Sequence, residues 1–197
     1  MLRISVMVSG GGSNLQAVID AIDKGQIKDA EIVQVISSNP KSFALERAKR
    51  HHIKGVVIGK KGFPEEAQRQ AAILAALKIK ETDLVVLAGY MSILPPELVN
   101  EYKGRIINIH PSLIPKFCGE GFYGTKVHEA VINAGEKESG ATVHYVDEGI
   151  DTGEIIIQEK VAVRSGDSAE MLAERVLEIE HKILPRAIQQ WQRKGEK

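Results

Sequence analysis

"RISVMVSGGGSNLQAVIDAI", residues 3 to 22, decides the fold. Its opening run, RISVMV (3–8), is short and apolar on both faces, which predicts a strand covered on both sides. Glycines fill positions 10 to 12, and Leu15, Val18, Ile19 and Ile22 then recur at the helical spacing i, i+3, i+4, i+7, with Gly25 as the stop. Strand, glycine turn and helix form the first half of a βαβ unit. The alternation continues outward from there. EIVQVIS (31–37), KGVVIG (54–59), DLVVLA (83–88) and RIINI (105–109) predict further buried strands, while FALERAKRHH (43–52) and the segment from Pro64 to Lys80 predict helices.

Such an order implies a parallel sheet with right-handed crossovers. The expected class is α/β, a three-layer αβα sandwich around a mostly parallel Rossmann-like sheet. Beyond residue 110 the pattern changes. KFCGEGFYG (116–124) is glycine-rich and aromatic and predicts a long mobile loop, followed by a helix in TKVHEAVINAG. ATVHYV (141–146) and EIIIQEKVAV (154–163) flank the turn-like DEGIDTG (147–153), which predicts a late antiparallel strand. The last helix is expected to open at Asp167 with Glu170 in a capping box, to carry Leu172, Val176, Ile179 and Ile183 on one face, and to kink or break at Pro185. No repeat or linker interrupts the chain, so residues 1–197 are expected to form a single domain.

Composition narrows the functional classes. Lys plus Arg and Asp plus Glu each total 26, giving zero net charge with no like-charge run, so neither nucleic acid nor a membrane surface is an expected partner. The single cysteine, Cys118, excludes an internal disulfide, and the N-terminus lacks the features of a signal peptide; a cytoplasmic location is expected. Apolar stretches fall well short of the roughly 20 residues that span a bilayer.

The glycine turn points to an anion. Gly10 and Gly12 match two positions of the dinucleotide pattern G-x-G-x-x-G, but Leu15 stands where its third glycine belongs and no acidic residue follows the second strand. A Lys-Ser or Lys-Thr pair is also missing after the glycines, so the Walker nucleotide motif does not apply. What remains is a turn whose N–H groups, with Ser13 and Asn14, meet a phosphate at a helix N-terminus, or whose Ser13 or Asn14 merely caps that helix.

RIINIHPSLIP (105–115) raises a second question. Asn108 and His110 share one face of a buried strand, although an unpaired buried polar group costs about 1–3 kcal/mol. Pro111 ends the strand, which places both residues at the carboxyl edge where open parallel sheets bind ligands. An amide can donate to a carbonyl oxygen gaining charge, and an imidazole can exchange a proton with an attacking or leaving nitrogen; acyl transfer needs both. Asp147 and Asp151 are candidate partners for the imidazole, with ordinary turn chemistry as the alternative for each. His144, Asp147 and Asp151 match no standard metal spacing, and Cys118 carries no activating signature as a nucleophile. His51 and His52 end a basic helix, and His128 has no evident partner.

Together, SGGGSNLQ, VVLAGYMSILP, INIHPSLIPKF, GATVHYVDEGIDTGEIIIQ and GDSAEMLAERVLEIEH resemble the folate-dependent formyltransferases, in that family's order and over nearly the whole chain. GSNLQ and an end near residue 200 favour the branch whose acceptor is glycinamide ribonucleotide, in purine biosynthesis. The resemblance implies transfer of the formyl group of 10-formyltetrahydrofolate, a co-substrate, to the amine of that acceptor through a tetrahedral intermediate, with no metal. It further implies Asn108, His110 and Asp151 as the catalytic set, with Asp151 holding His110 protonated. Gly12, Ser13 and Asn14 would hold the substrate phosphate, and Glu180 would contact the glycinamide side. Met91, Ser92, Ile93 and Leu94, with Asn108, Val146 and Asp147, would line the pterin pocket. Ser92 stands where relatives often carry Arg, and Glu66 where a basic residue often meets the folate tail. Small-molecule substrates and a monomer or homodimer are expected. A formyltetrahydrofolate hydrolase and a non-catalytic phosphosugar-binding module are the alternatives.

Overall fold

The computed structural model describes residues 1–195. Seven strands hydrogen-bond in the order β3-β2-β1-β4-β5-β6-β7, with β1 Leu2–Val8, β2 Ala30–Ser37, β3 Gly55–Val57, β4 Leu84–Leu87, β5 Ile106–His110, β6 Glu138–Tyr145 and β7 Ile155–Ala162. The helices are α1 Ser13–Asp23, α2 Phe43–Arg50, α3 Glu66–Ile79, α4 Pro96–Glu101, α5 Thr125–Asn133 and α6 Ala169–Gly195. The class is α/β, as expected, with a mixed and mostly parallel sheet. By compactness the chain divides into two units, Met1–Ile107 and Asn108–Lys197.

In the first unit β1 pairs in parallel with both β2 and β4, and β2 with β3. Ile4, Val6, Met7 and Val8 of β1 are buried, which is why its sequence reads as continuously apolar and not as alternating. One polar residue interrupts that run. Ser5 is fully buried, but its hydroxyl meets the Thr82 hydroxyl at 2.7 Å and accepts from the Gln34 amide at 3.1 Å, and the same amide donates to the Ala76 carbonyl at 3.0 Å. Satisfied in this way, the buried polar cluster links β1, β2 and the end of α3. Leu15, Val18 and Ile19 form the buried stripe of α1, as their spacing predicts. One short helix, α4, escaped sequence reading because it opens on a Pro-Pro pair; Pro96 at its first position has its φ already set for a helix.

In the second unit β6 and β7 pair antiparallel. The strand β6 begins three residues before the expected start because Gly140 reads as a turn residue but serves a close approach: a Cβ there would lie 2.1 Å from the Glu159 carbonyl of β7. Helix α6 packs against both strands and against α5. The expected cap of α6 fails, and of the expected kink or break at Pro185 the break does not occur. Its cap is Ser168, whose hydroxyl accepts from the Met171 N–H at 3.2 Å, because Asp167 is already held by two Arg175 contacts of 2.7 and 2.9 Å and by the Arg164 N–H at 2.7 Å. Pro185 does not break the helix, which runs unbroken from Ala169 to Gly195 with Ile183, Leu184, Pro185, Ala187 and Ile188 buried. The packing of that apolar face outweighs the one hydrogen bond that proline removes.

Candidate active site

The glycine turn leaves β1 and enters α1 through Gly12, whose φ of 73° is the left-handed conformation that side chains disfavour. A Cβ on Gly12 would lie 2.5 Å from that of Ala44, so the site excludes any other residue on steric grounds as well. Ser13 is the first helical residue, and no side chain caps the helix. The capping alternative is therefore not realised, and the first N–H groups of α1 keep the character of an anion site. Asn14 is buried.

In the second unit the carboxyl end of β5 assembles a polar cluster. The His110 Nε2–H donates to the Phe117 carbonyl at 2.9 Å, which leaves Nδ1 facing the Asp151 carboxylate at 3.5 Å. The Asn108 amide nitrogen lies 3.2 Å from His144 Nε2 and donates to Asp151 Oδ1 at 3.3 Å. His144 donates its own Nδ1–H to the Tyr145 carbonyl at 2.7 Å, so in its neutral form Nε2 is the acceptor for Asn108. The Gly119 N–H donates to Asp151 Oδ2 at 3.0 Å. Asp151 itself has a φ of 57°, a left-handed conformation costing about 1 kcal/mol that this set of partners sustains.

Electrostatics follow from that geometry. Burial pushes the His110 pKa below its ordinary value despite Asp151 and the Phe117 carbonyl, which both favour the charged ring. Asp151 does favour the charged ring, as expected, but with the side chain 6% exposed burial outweighs that pull and disfavours the imidazolium. For Asp151 burial acts upward, but the His144 contact, the His110 ring and the Gly119 N–H together outweigh it and hold the carboxyl below its ordinary value.

Of the two aspartates left open, Asp151 is the one beside His110. Asp147 staples its own loop, accepting from the Thr152 hydroxyl at 2.6 Å and the Gly149 N–H at 3.1 Å. Val146 is half-buried, and Glu180 is buried on α6. Met91 and Ile93 are exposed, Leu94 is buried, and Ser92 hydrogen-bonds Tyr90. Sequence reading missed His144 as a member of the cluster, although its place two residues after Thr142 on one strand face was a signal. It also left His128 aside. That ring is buried, its Nδ1 has no partner among the described residues, and burial, then the His110 ring, lowers its pKa. The Gly-rich loop has no regular structure, yet the Phe117 carbonyl and Gly119 N–H fasten it to His110 and Asp151, and Phe117 meets Phe122 edge to face at 6.2 Å. Among the described residues no group of three or more His, Cys, Asp or Glu side chains is arranged to hold a metal ion.

The family model described as formyl transferase matches residues 2–188. The phosphoribosylglycinamide formyltransferase of Haemophilus influenzae is 42% identical over 95% of this chain and 86% of its own length. The trifunctional purine biosynthetic protein adenosine-3 of Drosophila pseudoobscura pseudoobscura is 47% identical over 94% of this chain, which spans 13% of the length of that protein. Among solved structures, glycinamide ribonucleotide transformylase 1 of Symbiobacterium toebii superposes with a TM-score of 0.90 at 38% identity, over 96% of this chain and 86% of that one.

Proposed function

Since the chain belongs to the formyl transferase family, we propose that it transfers the formyl group of 10-formyltetrahydrofolate to the amine of glycinamide ribonucleotide, as a phosphoribosylglycinamide formyltransferase of purine biosynthesis. The observation that carries this reading is the 42% identity to the Haemophilus influenzae enzyme of that name over nearly the whole of both chains. The cluster of amide, imidazole and carboxylate at the end of β5 suits the chemistry.

In the proposed mechanism Gly12, Ser13 and Asn14 take the phosphate and Glu180 the glycinamide end. Met91, Ser92, Ile93, Leu94, Val146 and Asp147 bound the pterin site. The acceptor amine attacks the formyl carbon, and the carbonyl oxygen becomes an oxyanion. Both Asn108 N–H groups rest on His144 and Asp151, so Asn108 meets the oxyanion by exchanging its longer contact, the 3.3 Å bond to Asp151. His110 enters neutral and can take the proton that the attacking nitrogen loses; Asp151 stabilises the imidazolium, and the proton then passes to the departing folate nitrogen. Acid–base exchange and oxyanion stabilisation are each typically worth about 10²–10⁴ in rate. None of these steps calls on a metal.

Incubation with formyl-folate, with and without glycinamide ribonucleotide, tests the reading. Formyl transfer that requires the acceptor is expected. Formate released without acceptor would instead identify a hydrolase, and ribonucleotide binding without turnover a phosphosugar-binding module.

A further inference from the structure

Helix α2 and the Ser42 before it grip the glycine turn from one side through the Gly10 and Gly11 carbonyls. The Gly10 carbonyl accepts from the Ser42 hydroxyl at 2.6 Å and the Ala44 N–H at 3.2 Å, and the Gly11 carbonyl accepts from Arg47 Nε at 2.9 Å. Gly12 lies against Ala44, and a Cβ on it would also lie 3.4 Å from Arg47 Cδ. The Gly12 carbonyl accepts the first helical bond of α1, from the Gln16 N–H at 3.0 Å. In a trans peptide the N–H points opposite to the carbonyl. The N–H groups of Gly11 and Gly12 therefore aim away from α2, and that of Ser13 aims back out of the helix N-terminus. The turn is uncrowded at its first two glycines, where a Cβ on Gly10 or Gly11 would meet nothing within 4 Å.

We propose that Arg47 is a positioning residue for the anion subsite: through its bond to the Gly11 carbonyl it fixes the peptide planes whose N–H groups receive the substrate phosphate. The inference rests on the phosphate reading of the glycine turn given above and names what holds that turn in shape. Two further contacts fit the role. The guanidinium lies 5.1 Å from the Phe43 ring centroid, and Nη1 donates to Gln16 Oε1 at 3.3 Å, so the side chain is braced between α2 and α1. Lysine has only a point donor where arginine offers a fork, and methionine offers none.

Steady-state kinetics of Arg47→Met and Arg47→Lys decide the matter. Arg47→Met is expected to raise KM for glycinamide ribonucleotide about tenfold, the scale of one lost charge-assisted hydrogen bond. Its kcat and its KM for formyl-folate stay within about twofold of wild type, and Arg47→Lys recovers part of the loss. An unchanged KM, or a fall in kcat alone, overturns the proposal. Should the wild type show no transfer at all, the functional reading fails but this inference is still decided, by titrating inorganic phosphate against the backbone amide signals of Gly11, Gly12 and Ser13. Shifts in the wild type that weaken at least about fivefold in Arg47→Met support it; equal affinity in both proteins, or no shifts in the wild type, overturns it.

Discussion

A buried histidine beside a carboxylate need not be a protonated one. From residue types alone, Asp151 should raise the His110 pKa, and it does act in that direction. The net result is the reverse because a side chain with 6% exposure loses more hydration than one carboxylate at 3.5 Å returns. Burial could not be read from INIHP, since it depends on tertiary contacts around the ring, whose effect the Phe117 carbonyl, 2.9 Å from Nε2, only partly offsets. Removing the carboxylate should therefore lower the pKa further. In a nuclear magnetic resonance titration, His110 is expected to titrate below the ordinary histidine value of about 6.5, and in Asp151→Asn lower still; a rise in the variant would contradict this balance of burial and charge. At Gly12 the residue scale is simpler. Alanine there combines a disfavoured φ of 73° with a 2.5 Å approach to Ala44. Denaturant unfolding of Gly12→Ala should show a loss of about 2–4 kcal/mol. The three glycines made the turn legible, whereas the contact from α2 that makes the third irreplaceable was not.

Elements were legible where periodicity was clean and illegible where tertiary contacts overrode it. The apolar stripe of α1 and the short apolar runs of β1, β2 and β4 appear where expected, because burial on both faces or along one stripe leaves a direct mark on sequence. The start of α6 was misread because Asp167 and Ser168 are both good caps, and only the Arg175 pairing reveals which is free for the task. That pairing, with the Arg164 N–H, depresses the Asp167 pKa to about 2. Its folded pKa lies below the ordinary unfolded value of about 3.9, so the pairing contributes its full stability above pH about 4 and loses it as pH falls toward 2. Acid unfolding monitored by circular dichroism should consequently begin at higher pH in Arg175→Ala than in wild type. Coincident acid transitions would show that the pair contributes nothing to the folded state. Pro185 teaches the complementary lesson: a rule for isolated helices yields when the helix carries a buried face through the offending residue.

For the molecule as a whole, strand–helix alternation sufficed for the α/β class, and the family membership agrees with the motifs that first suggested it. The site was legible in part. Asn108, His110 and Asp151 do gather in the structure, while His144, weighed from the sequence only as a metal ligand, turns out to meet Asn108. Among the described residues no helix is long and apolar enough to cross a membrane. The central claim is that the imidazole at the end of β5 moves the proton that formyl transfer requires. Turnover of His110→Ala with both substrates saturating tests it most directly. A fall of about 10²–10⁴ in kcat, with thermal unfolding close to that of wild type, is the predicted result; turnover near the wild-type rate would contradict the account.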